Sequence, residues 1–135
     1  MQVEDNADAN LGFEAKARVL VVEDDFFVAM DLQYELSKAG FDVVGIAVTS
    51  EEAIALARKR QPAVAIMDIR LASTRDGIDT AIQLFRDFKI RSIFASAHND
   101  DATRRRADPA HPIGWISKPY AVESILDLLK SLPLA

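Results

Sequence analysis

The 135-residue sequence contains no cysteine, so neither disulfide bonds nor thiolate-bound metals can stabilise its fold. It also has no apolar stretch near the ~20 residues that a membrane-spanning helix needs. Residues 1–10 are acidic and polar, and they lack the basic and apolar regions of a secretory signal. From these absences we expect a soluble, cytoplasmic protein with no membrane partner.

Positive charge is in deficit as well, because 21 Asp and Glu residues outnumber 16 Lys and Arg residues. The net charge of -5 argues against a nucleic-acid surface over the whole domain, which would need a basic excess. We therefore expect no direct nucleic-acid partner. The exception is the arginine run 104–106, which is either a solvated helix face or a docking patch for an acidic partner.

Hydrophobic residues make up half of the chain. At this length, that proportion predicts one domain with a single core. Residues 1–16 carry several acids and few large apolar side chains, so they bury too little surface to offset the entropy of ordering. We predict a mobile tail over 1–16 and a folded domain over 17–135.

Short apolar runs alternate with helix-forming segments along this domain. The predicted strands are 18–22, 41–47, 63–68, 91–95 and 112–117. The segments between them have helical periodicity and boundary signals, such as Asp25 as an N-cap and Thr49 with Glu52 as a capping box. Repeated βα units with right-handed crossovers predict a parallel sheet with helices on both faces.

The third strand is continuously apolar and ends in Asp68, as expected of a central strand buried on both faces. Ligands bind at the carboxyl ends of the strands in such sheets. Polar residues follow three other strands at the same edge: Glu23, Asp24, Ser96 and Lys118. Each of these has an ordinary interpretation in isolation, as a helix start, a turn serine or a surface lysine. Together they predict one pocket.

Carboxylates crowded in that pocket would repel one another, and one would be protonated unless a cation compensated the charge. Mg²⁺ is the simplest candidate, because it is a hard cation that prefers oxygen ligands. An ionised Asp68 beside it could act as a nucleophile toward a phosphoryl group.

The chain from about residue 17 to 132 resembles the receiver domains of bacterial two-component response regulators. The motifs that carry the resemblance are VLVVEDD, AIMDIRL, FASA and SKPY, in the family's order. The resemblance implies an α/β, flavodoxin-like doubly wound (βα)5 fold with a five-stranded parallel sheet in the order 2-1-3-4-5. It further implies a phosphorylation-dependent signalling switch that is not an enzyme. We expect either a stand-alone receiver or a receiver that is part of a longer protein.

The resemblance also assigns roles to residues of the predicted pocket. Asp68 would accept the phosphoryl group, and Ser96 and Lys118 would contact its oxygens. The family's Lys-Pro bond is usually cis, which would aim Lys118 inward. The implied Mg²⁺ site consists of Asp24 as a direct ligand, Glu23 acting through a water molecule, Asp68, and the backbone carbonyl of Arg70.

Two departures from the family pattern concern the segment after Ser96. Trp115 stands where many receivers have a Tyr or Phe that turns inward on activation, and it is either that switch or a static packing residue. The prolines before it predict a short or distorted fourth helix.

Arg70 and His98 follow Asp68 and Ser96 by two residues each, and we expect them to tune the lifetime of the acyl phosphate.

The implied partners are a histidine kinase or phosphotransfer protein and an unidentified downstream protein, with a homodimer through helix 4, strand 5 and helix 5 as a further candidate. Two other functions stay open. One is a phosphorylation-independent interaction module. The other is a Mg²⁺-dependent phosphatase with an aspartate nucleophile, but such enzymes generally have a second acid where this chain has Arg70.

Overall fold

The computed structural model describes residues 17–97 and 99–133, and within them five strands alternate with five α-helices. The strands are β1 (Arg18–Val22), β2 (Asp42–Ala47), β3 (Val64–Met67), β4 (Arg91–Ser96) and β5 (Gly114–Ser117). The helices are α1 (Phe26–Lys38), α2 (Ser50–Arg60), α3 (Gly77–Phe88), α4 (Asp101–Arg106) and α5 (Val122–Lys130), with a 3₁₀ turn at Asp108–Ala110. The predicted tail, 1–16, and His98 lie outside the described residues.

All five strands pair in parallel, in the order β2-β1-β3-β4-β5, which confirms the predicted doubly wound sheet. The chain leaves β1 toward one edge of the sheet and returns to its other side at β3. A crevice opens at such a reversal, outside the carboxyl ends of the strands. The fold therefore places the ends of β1 and β3 where a ligand would bind.

Hydrophobic clusters cover both faces of the sheet. Because side chains alternate along a strand, Leu20 and Val22 of β1 join one cluster, which includes residues of α2 and α3. Val19 and Val21 join the other, which includes residues of α1 and α5. Both faces of the central strands are thus covered, which explains their continuously apolar sequences.

Side-chain caps set the start of the helices that follow β1 and β2. Asp25 Oδ1 accepts hydrogen bonds from the backbone N–H groups of Phe27 and Val28, at 3.0 and 3.2 Å. Thr49 accepts one from Glu52 N at 3.1 Å, and Glu52 in turn accepts one from Val48 N at 2.8 Å. Both predicted caps are present, and they begin each helix immediately after its strand.

The region between β4 and β5 differs most from a regular βα unit. Helix α4 has six residues and none of them is buried, in agreement with the short fourth helix that the sequence predicts. Strand β5 begins at Gly114, two residues later than expected. The carbonyls of His111 and Pro112, just before it, instead accept hydrogen bonds from the Arg91 side chain, at 2.6 and 3.2 Å.

None of the helices within 17–97 and 99–133 combines the length and apolar character that crossing a bilayer requires.

Candidate functional site

A cleft of ≈ 350 Å³ opens at the carboxyl ends of the strands, at the reversal between β1 and β3. It contains every pocket residue that the sequence predicts on β1, β3, β4 and β5. The lining residues are Glu23, Asp24, Asp25, Asp68, Arg70, Ser96, Ala97 and Lys118. The predicted acids, hydroxyl and lysine therefore meet in one place.

Backbone hydrogen bonds hold the two buried acids at this edge. Glu23 N donates to Ala47 O and Asp68 N donates to Val22 O, both at 2.9 Å, so each acid continues the sheet one residue past its strand. Glu23 and Asp68 are only 4% and 7% exposed, respectively. Asp24 is exposed. The cleft thus has a buried acidic floor and one acid at its mouth.

The three carboxylates fit a divalent cation. Glu23, Asp24 and Asp68 can each present an oxygen such that all three atoms lie within 4.8 Å of one another. Arg70, whose carbonyl is the fourth predicted ligand, lines the same cleft. An all-oxygen donor set with three carboxylates suits a hard cation such as Mg²⁺ better than it suits softer metals.

Lys118 supplies the positive charge within the cleft. Its Nζ lies 2.6 Å from Glu23 Oε1 and 3.4 Å from Asp68 Oδ2. Burial lowers the pKa of Lys118, but the hydrogen bond to Glu23 and the charge of Asp68 outweigh burial and leave this pKa raised, so the ammonium is charged at neutral pH. Burial raises the pKa of Glu23, and the Lys118 hydrogen bond opposes that rise. The Lys118–Pro119 bond is cis.

Ser96 is buried at the end of β4, and its carbonyl accepts a hydrogen bond from Lys118 N at 3.2 Å. Trp115 does not line the cleft. Its indole is half-buried and stacks on Phe94, with ring centroids 4.4 Å apart and planes at 18°. His98, predicted to tune the site, lies outside the described residues.

Sequence reasoning missed an exposed apolar surface on α1. Phe26, Phe27, Met30 and Tyr34 are 66%, 82%, 41% and 62% exposed. The signal was available: α1 has a second apolar row besides its buried positions, whereas a helix that covers one sheet face needs a single row. This surface begins directly after the acids of the cleft.

A doubly wound α/β domain with three acids, a serine and a lysine at its carboxyl edge is the architecture of a phosphoryl-signalling receiver. The chain belongs to the response regulator receiver domain family, whose family model matches residues 19–130. Family members are phosphorylation-dependent signalling domains of two-component systems. This agrees with the resemblance that the four sequence motifs indicate.

Two curated relatives are longer than this chain. The phyllosphere-induced regulator PhyR of Methylorubrum extorquens is 30% identical over 124 residues, which are 90% of this chain and 46% of PhyR. The transcriptional regulatory protein PdtaR of Mycobacterium tuberculosis is 33% identical over 118 residues, 87% of this chain and 56% of PdtaR. The chain thus spans about half the length of these relatives.

Among solved structures, the signal receiver domain of a modulated diguanylate cyclase from Desulfovibrio desulfuricans has a TM-score of 0.79 at 32% identity. The match covers 85% of this chain and 91% of that domain. The response regulator PhyR from Brucella abortus has a TM-score of 0.71 at 29% identity, over 86% of this chain and 47% of PhyR.

Proposed function

We propose that this protein is a signalling switch that accepts a phosphoryl group on Asp68 from a histidine kinase or a phosphotransfer protein. The observation that carries the proposal is the position of Asp68. Its carboxylate is buried at the edge of a central strand, 3.4 Å from the Lys118 ammonium and within reach of two further carboxylates. This pairing of an acidic nucleophile with a fixed cation suits phosphoryl transfer.

In the proposed reaction, an Asp68 carboxylate oxygen forms a bond to phosphorus while the phosphorus–nitrogen bond of a phosphohistidine donor breaks. The leaving imidazole keeps the electron pair and takes up a proton. Lys118 stabilises the negative charge on the phosphoryl oxygens, and the Ser96 hydroxyl donates a hydrogen bond to one of them. When Mg²⁺ is bound by Glu23, Asp24, Asp68 and the Arg70 carbonyl, it supplies further positive charge to the same oxygens.

Phosphorylation would place a strongly charged group in the cleft and bias the surrounding surface between two arrangements. The partners would then be the phosphoryl donor and a downstream protein that distinguishes the two arrangements.

We infer that the donor docks on the exposed face of α1, because the phosphoryl group must be delivered to a cleft that this face adjoins. Phe27→Ser should therefore slow transfer from a protein donor and leave phosphorylation by a small acyl phosphate unchanged.

Intact-mass measurement after incubation with Mg²⁺ and a small acyl phosphate tests the central proposal. We expect one phosphoryl adduct on the wild-type protein and none on Asp68→Asn. Asp87→Asn, at the far end of α3, is the matched control and should be modified like the wild type. Chelation of the metal should reduce the yield of the adduct.

Three results would reject the proposal. An adduct that persists in Asp68→Asn would place the modification elsewhere. No adduct on the wild type would favour an interaction module that works without phosphorylation, and repeated turnover of phosphate esters would favour a phosphatase.

A further inference from the structure

The loop between β3 and α3 carries Arg70, whose backbone carbonyl is one of the proposed metal ligands. The residue before it, Ile69, is buried, and the Ile69 carbonyl accepts a hydrogen bond from Gly77 N at 2.6 Å. Two residues after Arg70, Ala72 N donates a hydrogen bond to the carbonyl of Val48 at 3.0 Å. The Arg70 carbonyl therefore lies between two fixed residues, and its position depends on both of them.

The hydroxyl group of Ser73 makes two hydrogen bonds next to the second of these fixed residues. Its Oγ accepts one from the backbone N–H of Ser50, at 3.2 Å, and donates one to the carbonyl of Arg75, at 2.8 Å. Ser50 is the first residue of α2, so its N–H is one of the donors that have no partner within that helix. The Ser73 hydroxyl supplies this partner and thereby joins the loop to the start of α2.

A second hydroxyl contact joins the far end of the loop to the same serine. Thr80 Oγ1 on α3 lies 2.8 Å from Ser50 Oγ and 2.8 Å from the carbonyl of Asp76. A hydroxyl group has one hydrogen and a carbonyl can only accept, so Thr80 donates to Asp76 and Ser50 donates to Thr80. Ser50 and Thr80 are both fully buried. Ser50 thus holds both ends of the loop, one through its N–H and one through its hydroxyl.

Apolar packing alone does not hold this part of the loop. Arg70, Ala72 and Thr74 are exposed, and Leu71, which packs on the hydrophobic cluster of α2 and α3, is only half-buried. A segment with few buried apolar contacts opens at a low free energy unless polar contacts retain it. The hydrogen bonds of the Ser73 hydroxyl are therefore a substantial part of what keeps the segment in one position.

The position of the Arg70 carbonyl matters because of the coordination that Mg²⁺ requires. Mg²⁺ needs nearly ideal octahedral geometry with metal–oxygen distances of about 2.1 Å, whereas Ca²⁺ tolerates irregular geometry at about 2.3–2.6 Å. A carbonyl on a loosened segment would therefore weaken the binding of Mg²⁺ more than the binding of Ca²⁺. Groups that orient a metal ligand without touching the metal have large effects on its affinity.

We propose that Ser73 is a positioning residue for the divalent cation: its hydroxyl, held by Ser50, keeps the Arg70 carbonyl where an octahedral Mg²⁺ site needs it. The inference rests on the function proposed above, because it takes the Arg70 carbonyl as a ligand of that site. Ser73 itself does not line the cleft, so it acts through the backbone. Its contribution is a preference for Mg²⁺ over Ca²⁺, since carboxylates alone accept either ion.

Titration of the full chain with Mg²⁺ and, separately, with Ca²⁺ tests the proposal, with the NMR signals of the cleft amides as the readout. We expect Ser73→Ala to bind Mg²⁺ about 10-fold more weakly than the wild type, at the lower end of the losses caused by removing such supporting contacts. The affinity for Ca²⁺ should fall by a smaller factor. Ser73→Thr keeps a hydroxyl at the same position and should recover the affinity for Mg²⁺.

Thr74→Ala is the matched control, because it removes a hydroxyl from the neighbouring residue of the same loop. Thr74 is exposed, and its side chain has no hydrogen-bond partner within the described part of the chain. We expect this control to bind both ions like the wild type. Denaturant unfolding of each variant verifies that it is folded under the conditions of the titration.

The Mg²⁺ dependence of phosphorylation supplies a second readout. Ser73→Ala should need about 10-fold more Mg²⁺ than the wild type for half-maximal formation of the Asp68 adduct. At saturating Mg²⁺ it should reach the wild-type yield, because the substitution leaves Asp68 and Lys118 in place.

The outcomes separate this role of Ser73 from the proposed function. If the adduct forms on Asp68 and the wild type binds Mg²⁺, but Ser73→Ala keeps both affinities or loses both equally, the positioning role is rejected and the switch stands. An equal loss in Thr74→Ala would also reject the role. If the wild type neither binds Mg²⁺ nor forms the adduct, both proposals are rejected. A changed ion preference in Ser73→Ala that Ser73→Thr reverses supports the role.

Discussion

The first residue of α3, Gly77, packs directly against the carbonyl group of Asp68. A Cβ atom built on Gly77 would lie 1.8 Å from that oxygen and 2.8 Å from the Cα of Ile69. The Gly77 N–H also donates to the carbonyl of Ile69 at 2.6 Å. The backbone at Asp68, the proposed phosphoryl acceptor, thus packs against a residue that has no side chain.

We predict that Gly77→Ala is strongly disruptive. The methyl group would overlap a backbone carbonyl rather than a movable side chain, so the segment that carries Asp68 would have to shift, at a cost of about 3 kcal/mol or more in unfolding free energy. Chemical denaturation measures that cost, and intact mass measures the expected loss of phosphorylation by an acyl phosphate.

Gly45→Ala is the control for that prediction. Its Cβ would meet only the Leu56 side chain, whose two methyl carbons would lie at 3.0 Å and can rotate away. We expect a loss below about 1 kcal/mol and unchanged phosphorylation. Equal losses for the two variants would show that the contact with Asp68 has no special effect.

A second prediction concerns Ser92 on β4. Its Oγ is buried and has no hydrogen-bond partner among the described residues. An unsatisfied buried hydroxyl costs free energy, so Ser92→Ala should leave stability unchanged or raise it by up to about 1 kcal/mol. Thermal or denaturant unfolding tests this directly.

Ser50→Ala is the matched substitution for comparison. Ser50 is also fully buried, but its hydroxyl lies 2.8 Å from that of Thr80 and joins the start of α2 to α3. Removal of this hydroxyl should cost about 1 kcal/mol. A loss at Ser92 as large as the loss at Ser50 would contradict the assignment of Ser92 as unpaired.

A third prediction follows from the pair of Lys118 and Glu23. Without divalent cations, Lys118→Met leaves the buried Glu23 carboxylate without its 2.6 Å partner, and we expect a loss of about 2 kcal/mol at neutral pH. Glu23→Gln in the Lys118→Met background should recover part of that loss, since it removes the unpaired charge.

The sign of the pH dependence is a further check on the pair. Burial already raises the pKa of Glu23, and loss of the Lys118 hydrogen bond should raise it more. A carboxyl whose pKa is higher in the folded than in the unfolded state stabilises the fold at low pH and loses that effect as the pH rises. The deficit of Lys118→Met should therefore grow from acid to neutral pH. A constant deficit would exclude Glu23 as its cause.

A fourth prediction concerns the ion pairs of Arg106. Its guanidinium is about half exposed, so Arg106→Ala should reduce stability by no more than about 1 kcal/mol, and less at high salt. Arg105→Ala should have no measurable effect. Denaturation at low and high ionic strength separates the electrostatic part, and a large, salt-independent loss would point to packing of α4 instead.

Local sequence signals correctly predicted a strand and two helix caps. The strand β1 was predicted at 18–22, where it lies, and the caps at Asp25 and Thr49 are present. Apolar runs and capping residues act over a few neighbours, so their effects can be predicted before the fold is known. The roles of the cleft residues, the tail over 1–16 and the influence of His98 stay predictions.

The sequence by itself determined the βα alternation, the parallel sheet and the residues that reach its carboxyl edge, because strand ends in a parallel sheet necessarily share one edge. Only the tertiary structure decided that Gly77 packs on Asp68 and that the Arg104 guanidinium lies over the Trp115 ring. Those contacts join residues of different elements. They depend on the angles and distances at which helices pack on the sheet, which no local pattern of residues encodes.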